Sequence, residues 1–291
     1  MRIATWNVNS LKARLERVEL WLARTAPDVL LMQETKLTDK DAPHAAFEKL
    51  GYQLAHHGQG RWNGVAIASK VGLEDVQVRF GDPAGDGEIG DDSPLREARV
   101  IAARCGGIRV VSLYAPNGRI VASPFYEAKL GWFDRLARWL SEEGATEDVL
   151  LGGDFNIAPD DRDVWDPKAC HGGTHVSPRE RAAFGRLLES GLVDAYRARH
   201  DEPERYSWWD YRAGDFYRNV GMRIDHFLAG ANVAKRVVGI EIDREARKGK
   251  PTPSDHAPIT IDLDAPGVVF DPGWDGAADR IAARRAKAAK G

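Results

Sequence analysis

The stretch VLLGGDFNIAP, residues 149–159, joins an apolar run directly to polar side chains. Its leading Val-Leu-Leu predicts a buried strand. The glycine pair that follows allows another segment or a ligand to approach the backbone closely. Asp154 and Asn156 come next, where the strand ends. The stretch therefore predicts a core strand that delivers a carboxylate and an amide to one edge of a sheet.

Five other segments repeat this arrangement, in which an apolar run carries or ends on polar side chains. They are ATWNVNS (4–10) with Asn7 and Asn9, DVLLMQETK (28–36) with Gln33 and Glu34, VVSLYAPNGR (110–119) with Tyr114 and Asn117, GMRIDHFL (221–228) with Asp225, and PTPSDHAPITIDL (251–263) with Ser254, Asp255 and His256. For any single segment, a turn or a cap is a sufficient explanation, because Asn, Asp and Ser are common turn residues. The six together are better explained by side chains that converge on a cation or a substrate.

The remaining periodicity predicts many short strands and a few helices. Strands are expected over 2–8, 28–33, 64–69, 97–104, 108–114, 148–153, 222–228, 236–242 and 258–263, and helices over about 10–25, 124–142 and 178–189. The first helix carries an apolar stripe that includes Leu11, Val18 and Leu22. This pattern predicts an α/β protein with two packed sheets and helices outside them, and not a simple βαβ repeat.

The composition is that of an ordinary globular protein. The chain has 291 residues, 43% of them hydrophobic, and a formal net charge of −3 from 41 Lys and Arg against 44 Asp and Glu. This charge neither indicates nor excludes a nucleic-acid partner, since a local basic rim can still bind phosphates. No stretch is long enough for a membrane span, and no signal peptide is visible. Two distant cysteines, Cys105 and Cys170, suggest a reduced, cytoplasmic protein.

Two segments differ in composition from the rest of the chain. Residues 80–94 are Gly-rich and acidic and predict a surface loop. Residues 266–291 are rich in Ala and Arg and predict either a short surface helix or a frayed end, with a solvated basic face favoured over a DNA contact. We therefore expect one domain over residues 1–265, followed by a basic tail over 266–291.

The candidate ligands favour a hard metal ion. Glu34 and Asp225 lie in or beside apolar runs, and buried carboxylates are rare without a partner or a metal. Asn, Asp, Glu and His without a thiolate suit magnesium or manganese. The motif CHGGTH offers Cys170, His171 and His175, but its glycine pair breaks any helix that would align the histidines, and no fourth ligand is evident. A zinc site is therefore disfavoured.

Two further motifs have simple explanations. His56 and His57, in LAHHGQGRW, are interpreted as a surface pair. A serine nucleophile at Ser254, beside Asp255 and His256, is the competing chemistry. It is disfavoured because the chain has no G-x-S-x-G motif and because side chains of adjacent strand residues point apart. A magnesium site suits phosphoester hydrolysis better, because a carboxylate can deprotonate water while an amide or imidazole stabilises the oxyanion.

Eight segments resemble the exonuclease III family of DNA-repair enzymes, within the endonuclease/exonuclease/phosphatase superfamily. They are TWNVNSLKAR, LLMQETK, NGVAIAS, LYAPNG, LLGGDFN, SWWDYR, MRIDHFL and SDHAPI, in this order between residues 5 and 259. The resemblance implies a four-layer α/β sandwich of two packed mixed sheets flanked by helices. It implies metal ligation by Asn7, Glu34, Asp154, Asn156, Asp255 and His256. It implies catalytic roles for Tyr114, Asp154, Asn156, Asp225 and His256.

The resemblance also implies what each catalytic group does. Asp154 would activate the attacking water, and Asn156 would orient the nucleophile or hold the oxyanion. Tyr114 would contact the scissile phosphate. The carboxylate of Asp225 would fix the His256 imidazole against the same phosphate.

On the substrate side, the resemblance implies DNA contacts by Arg99 and Asn117. It implies that Trp208 lines a pocket for an abasic sugar, since a flat apolar wall favours a sugar without its base. Packing of Trp208 in the core or in a hairpin is the alternative. The basic loop 244–253 is equally compatible with a solvated loop and with phosphate contacts.

The function implied is a Mg²⁺-dependent nuclease, with Mn²⁺ as the alternative metal, that incises DNA on the 5′ side of abasic sites and acts at 3′ ends as an exonuclease and phosphodiesterase. Its partner would be double-stranded DNA with abasic sites or 3′ ends, and we expect a monomer without membrane contact. A phosphatase or phosphodiesterase for a small phosphoester is the alternative within the same fold. A catalytically inactive DNA-binding module is disfavoured because Glu34, Asp154 and His256 are all present.

Overall fold

Two six-stranded sheets and a short two-stranded sheet form the framework of residues 1–81, 93–143 and 146–288, which the computed structural model describes. The strands are β1 (Arg2–Asn7), β2 (Val29–Gln33), β3 (Gln53–His57), β4 (Val65–Ser69), β5 (Glu74–Val78), β6 (Val100–Cys105), β7 (Ile108–Tyr114), β8 (Val149–Asp154), β9 (Val193–Asp194), β10 (Trp208–Trp209), β11 (Gly221–Met222), β12 (Asp225–Ala229), β13 (Val237–Ile242) and β14 (Ile259–Leu263). The helices are α1 (Leu11–Thr25), α2 (His44–Lys49), α3 (Pro124–Glu143), α4 (Pro167–Cys170), α5 (Pro178–Glu189), α6 (Asp215–Arg218), α7 (Ala231–Ala234) and α8 (Ala277–Ala288).

Both large sheets are mixed. The first has the order β13-β14-β1-β2-β4-β3, and only the pair β1 and β2 is parallel among its described strands. The second has the order β5-β6-β7-β8-β12-β9, with β7 and β8 as its parallel pair. In each sheet the parallel pair is central, so the carboxyl ends of those two strands reach the same edge.

The packing gives four layers. The two sheets enclose a central apolar core to which Ile3, Leu31 and Val110 belong. Helix α1 covers the outer face of the first sheet, and α3 and α5 cover the outer face of the second. Alternate residues of each central strand therefore face the other sheet or the helices. This is the four-layer α/β sandwich that the resemblance implied, and the prediction is confirmed.

The predicted helices lie close to their expected bounds. In α1 the predicted stripe is buried at Leu11, Val18 and Leu22, and the Ser10 side chain caps the first turn by accepting a hydrogen bond from the Ala13 backbone N–H. An apolar stripe at this spacing packs a helix onto a sheet. The predicted surface loop 80–94 lies mostly outside the described residues.

Four strands were not predicted: the two-residue strands β9 and β10, which are too short to give a pattern, and β3 and β5, which are polar edge strands. The residues of β3 and β5 are largely exposed or half-buried, so the apolar run that marks a core strand is missing. The interpretation of His56 and His57 as a surface pair is wrong for His56. Its side chain, on β3, is only 1% exposed and hydrogen-bonds to Thr35 and Asp39.

The C-terminal segment forms a helix and packs on the domain. Of the two structures expected there, α8 is the helix, and Ala277 and Ile281 join the central apolar core together with Trp274. The Trp274 indole donates to the Ile242 carbonyl at 2.7 Å. The boundary at residue 265 stays a prediction. None of the helices in the described ranges has the length and apolar character needed to cross a bilayer.

A buried ionic network lies beside β12. Arg223 is fully buried and pairs with Asp163 at 2.7 Å and with Asp194 at 2.8 Å. Burial alone would raise the pKa of Asp163, but the charges of Arg223 and Arg197 outweigh it and lower that pKa to about 2. The folded chain therefore binds this proton more weakly than the unfolded chain.

We expect this network to make folding stability fall in acid. The pKa of Asp163 is below its unfolded value of 3.8, so its contribution is complete above about pH 4 and is lost as the pH falls towards 2. The contribution amounts to roughly 2 kcal/mol. Urea unfolding of the wild type and of Asp163→Asn between about pH 2 and pH 7 measures it. An equal acid dependence in both proteins would contradict this assignment.

Candidate active site

The predicted polar residues meet at one end of the space between the two sheets. Each of four site residues lies an even number of positions along its strand from a residue of the central core. The pairs are Asn7 with Ile3, Tyr114 with Val110, Asp154 with Leu150, and Asp225 with Phe227. Strand side chains alternate between faces, so all four point into the same inter-sheet layer. The site is therefore the continuation of the core at the carboxyl ends of the parallel strands.

A buried polar layer separates the apolar core from the site. Gln33 Nε2 donates to Ser112 Oγ at 3.0 Å and to Thr5 Oγ1 at 3.1 Å, which joins the two sheets. All three residues are buried. Because their hydrogen bonds satisfy one another, they add a fixed polar floor beneath the site without an unpaired group.

Asn7 links the two carboxylates of the site. Its Nδ2 donates to Glu34 Oε1 at 2.9 Å and to Asp154 Oδ2 at 3.0 Å. Its Oδ1 accepts from the Asn9 backbone N–H at 3.0 Å. The amide nitrogen thus faces the cluster, while the role of Asn7 as a metal ligand stays a prediction.

His256 lies between two carboxylates. Its Nδ1 is 2.8 Å from Asp225 Oδ2, and its Nε2 is 3.8 Å from Asp154 Oδ2. Nδ1–H therefore donates to Asp225, which fixes the imidazole and leaves Nε2 facing the site. The predicted Asp–His pair is formed, although its catalytic role stays a prediction.

Burial and mutual repulsion shift the acidity of this cluster. Burial, together with the charges of Asp225 and Glu34, raises the pKa of Asp154 in spite of the opposing His256. Burial would lower the pKa of His256, but the hydrogen-bonded carboxylate of Asp225 raises it to about 10. The cluster thus holds more negative charge than its one imidazole can neutralise.

Asn156 lies between Asp154 and the next loop. Its backbone N–H donates to Asp154 Oδ1 at 2.8 Å, and its Oδ1 accepts from Asn117 Nδ2 at 3.2 Å. Its φ is +51°, a left-handed conformation that is uncommon outside glycine and must be held by its surroundings. The two predicted asparagines are therefore neighbours, beside the carboxylate expected to activate water.

Tyr114 and Arg99 form one wall of an open groove next to the cluster. The Arg99 guanidinium lies 4.7 Å from the centre of the Tyr114 ring and donates to the Tyr114 carbonyl at 3.1 Å. Burial and the nearby Glu34 raise the pKa of Tyr114, so the phenol keeps its proton. The groove has a volume of about 370 Å³ and is also lined by Asn117 and Arg119.

The two tryptophans of SWWDYR have different environments. Trp209 is fully buried and its ring lies 5.2 Å from that of Phe216. Trp208 is half-buried, and its Nε1 donates to Asp255 Oδ2 at 3.2 Å. Asp255 Oδ1 accepts from Asn9 Nδ2 at 2.9 Å. Packing thus accounts for Trp209. Trp208 pairs with β11 and packs on an apolar cluster, as the alternative expected, and it also contacts Asp255.

Neither interpretation of the basic loop 244–253 holds for two of its arginines. Arg244 and Arg247 are buried, and their guanidinium groups lie 4.1 Å and 5.1 Å from the centre of the Phe216 ring. Arg247 also donates to the carbonyl of Ser254. Because their guanidinium groups contact aromatic rings and backbone carbonyls, they support the loop that carries Asp255 and His256.

Two residues at the site, Lys36 and Lys129, were not found from the sequence, and a third, His175, was considered only as a zinc ligand. Lys36 pairs with Glu34 at 2.9 Å, and its position in QETK was the available signal. His175 Nδ1 lies 2.6 Å from the Asn156 carbonyl, and Lys129 Nζ donates to the same oxygen at 2.7 Å. These last two are distant in sequence, so only the packing of α3 and α5 reveals them.

One group in the described ranges could hold a metal ion. Glu34, Asp154 and His256 each offer a ligand atom, and these atoms lie within 4.8 Å of one another. Asp225 Oδ1 is buried and has no hydrogen-bond partner among the described residues. An excess of buried carboxylate oxygen is the environment that a hard cation occupies in proteins. Cys170, His171 and His175 form no such group in those ranges.

Comparison with known sequences identifies the family of this chain. The model of the endonuclease/exonuclease/phosphatase family matches residues 4–256. The chain belongs to this family. It is 34% identical to exodeoxyribonuclease III of Haemophilus influenzae over 275 residues, which cover 89% of this chain and 98% of that protein. The predicted resemblance is confirmed.

Solved structures of DNA-repair enzymes have the same fold as this chain. The chain is 40% identical to the 3′ phosphatase NExo from Neisseria, bound to a product DNA hairpin, with a TM-score of 0.83 over 91% of this chain and all of that one. It is 36% identical to an AP endonuclease from Archaeoglobus fulgidus, with the same TM-score and the same coverage. This member of the family is a hydrolase of the exodeoxyribonuclease III type and a DNA-repair nuclease.

We expect Glu34→Ala to weaken metal binding by at least about tenfold, because it removes a carboxylate from the only candidate metal group of the described residues. Isothermal titration of Mn²⁺ into the protein measures this directly. Glu16→Ala, on the exposed face of α1, is the matched control. Equal Mn²⁺ affinity in the wild type and Glu34→Ala would show that the metal lies elsewhere.

Proposed function

We propose that the protein is a magnesium-dependent DNA-repair nuclease that hydrolyses phosphodiesters at abasic sites, by incision on the 5′ side, and at 3′ ends. The observation that carries this proposal is the convergence of Glu34, Asp154 and His256 beside an open groove of about 370 Å³. The names of its relatives, a 3′ phosphatase and an AP endonuclease, support the two substrate classes.

The donor set fits Mg²⁺. Carboxylate oxygens from Glu34 and Asp154 would hold the ion, with Asn7, Asn156, Asp255 and His256 as the further expected ligands. When bound, the ion supplies positive charge that neutralises the scissile phosphate and stabilises its transition state. Mn²⁺ prefers similar ligands and is the alternative.

The side chains of the site perform the proton transfer. Asp154 accepts the proton of the attacking water, and its raised pKa makes it a stronger base than an exposed aspartate. Asn156, whose backbone N–H holds Asp154 Oδ1, orients the water with its amide. His256, kept protonated by Asp225, places Nε2–H towards the phosphate oxygens and stabilises the charge that develops there.

The groove supports a DNA strand on the other side of the phosphate. Tyr114 keeps its proton and can donate a hydrogen bond to a phosphate oxygen. Arg99 and Asn117 line the groove beside it, as expected for backbone contacts. Trp208 lies against Asp255 with part of its ring exposed, where it can contact a sugar that has lost its base.

We further propose that the protein acts as a cytoplasmic monomer with one domain over residues 1–265. Both cysteines are free, Cys105 buried and Cys170 half-buried, which suits a reducing compartment. Gel filtration with light scattering measures the mass in solution and tests the monomer.

The decisive experiment compares three labelled duplexes, each with Mg²⁺ and with a chelator. One carries an internal abasic-site analogue, one a nick with a 3′-phosphate, and one is undamaged. Metal-dependent cleavage directly 5′ of the abasic site supports incision, and removal of the 3′-phosphate supports activity at 3′ ends. Processing of the nick alone would restrict the function to 3′ ends. Inactivity on all three would favour a small phosphoester as substrate.

We expect Asp154→Asn to lower turnover by about 10²- to 10⁴-fold because the variant loses the general base. The amide is nearly isosteric, so the affinity for a nicked duplex should stay within about threefold of the wild type. Single-turnover cleavage gives the rate, and fluorescence anisotropy gives the affinity. Wild-type turnover in this variant would contradict the role of Asp154.

A further inference from the structure

A buried ion pair lies behind the Asn156 side of the site. Lys129 on α3 donates to Glu180 Oε1 on α5, and both side chains are 0% exposed. Burial removes hydration from both charges, and the attraction between them repays that cost only in part. A neutral, apolar contact between two helices would fill the same space, so the pair calls for an explanation beyond packing.

The pair binds the backbones of three site segments. Lys129 Nζ donates to the Asn156 carbonyl at 2.7 Å and to the Asn117 carbonyl at 3.3 Å. Glu180 Oε1 accepts from the His175 backbone N–H at 3.0 Å and from Thr174 Oγ1 at 3.2 Å. Two side chains thus connect the 117, 156 and 174–175 loops, which belong to no common strand or helix.

Asn156 is the residue most dependent on this support. It has a left-handed backbone at φ +51°, and such a conformation in a non-glycine residue persists only when the surroundings hold it. Its carbonyl accepts from Lys129 and from His175 Nδ1 at the same time. Its backbone N–H and its side chain then contact Asp154 and Asn117.

We propose that the Lys129–Glu180 pair is a positioning element that holds the Asn156 amide in register with Asp154 and Asn117 for the attack on the phosphate. The pair touches neither DNA nor metal and acts through Asn156, so the inference rests on the proposed role of that residue. Because the two charges cancel, the pair adds no net charge to the site and acts only by fixing the position of the Asn156 backbone. Its loss should therefore affect turnover and leave metal binding unchanged.

The test replaces both charges together. Lys129→Met keeps the unbranched side chain. Glu180→Gln keeps the shape and can still accept from Ser177, the N-cap of α5, to which Glu180 Oε2 is hydrogen-bonded. The double variant therefore leaves no unpaired buried charge. We expect kcat on the preferred duplex to fall at least about tenfold, since small misplacements in a site are costly. The KM and the Mg²⁺ concentration for half-maximal rate should stay within about threefold.

A surface ion pair between the same two helices is the matched control. Arg179 and Glu127 join α5 to α3 at 2.6 Å, with side-chain exposures of 60% and 50%. The double variant Arg179→Gln, Glu127→Gln should keep the wild-type kcat, KM and metal requirement. Equal losses of kcat in the buried and exposed double variants would overturn the proposal, because helix contact alone would then explain them.

A third variant separates this inference from the proposed function. Asn156→Ala should lower kcat at least as much as the buried double variant. The positioning role alone would be overturned if Asn156→Ala loses kcat while the double variant Lys129→Met, Glu180→Gln keeps the wild-type kcat. Wild-type kcat in Asn156→Ala would overturn both. If circular dichroism shows that the double variant Lys129→Met, Glu180→Gln does not fold, the double variant Lys129→Gln, Glu180→Gln is measured in its place. The same outcomes then decide.

Discussion

Side-chain alternation along the central strands is the constraint on which this active site depends. Asp154 points between the sheets only because it lies four residues beyond Leu150, and its neighbours in the ladder, Tyr114 and Asp225, share that orientation. A slip of one residue in β8 would turn the carboxylate towards α3 and α5. The register that packs the core and the register that assembles the site are therefore the same, and neither can change without the other.

The same arrangement creates an electrostatic problem within the site. The inter-sheet layer ends in several carboxylates, and the cluster raises the pKa of Asp154 while it holds His256 protonated. Such a cluster opposes folding to the extent that its charges are unpaired. A cation would relieve this repulsion, so the features that make the site costly to bury also suit it to hold a metal ion.

Much of this could be predicted because the central strands are marked by apolar runs that end in polar residues. Glu34, Asp154 and Asp225 all had that signal. The edge strands β3 and β5 lacked it, since their residues are partly exposed and polar. Long-range packing lacks any local signal. Nothing near Arg247 in sequence shows that its guanidinium lies over Phe216, 31 positions away by their residue numbers.

The two helices on the second sheet show how packing adds precision that the strands cannot supply. Strand ends deliver Asp154 with a fixed backbone, but Asn156 and Asn117 lie on loops beyond the ladders. Loops are held only by what contacts them, and here the contact comes from Lys129 on α3. The sheets therefore place Asn7, Asp154 and Asp225, whereas a helix supports the loop amides Asn117 and Asn156. Substitutions on the buried face of α3 should thus alter turnover without changing any residue that meets the substrate.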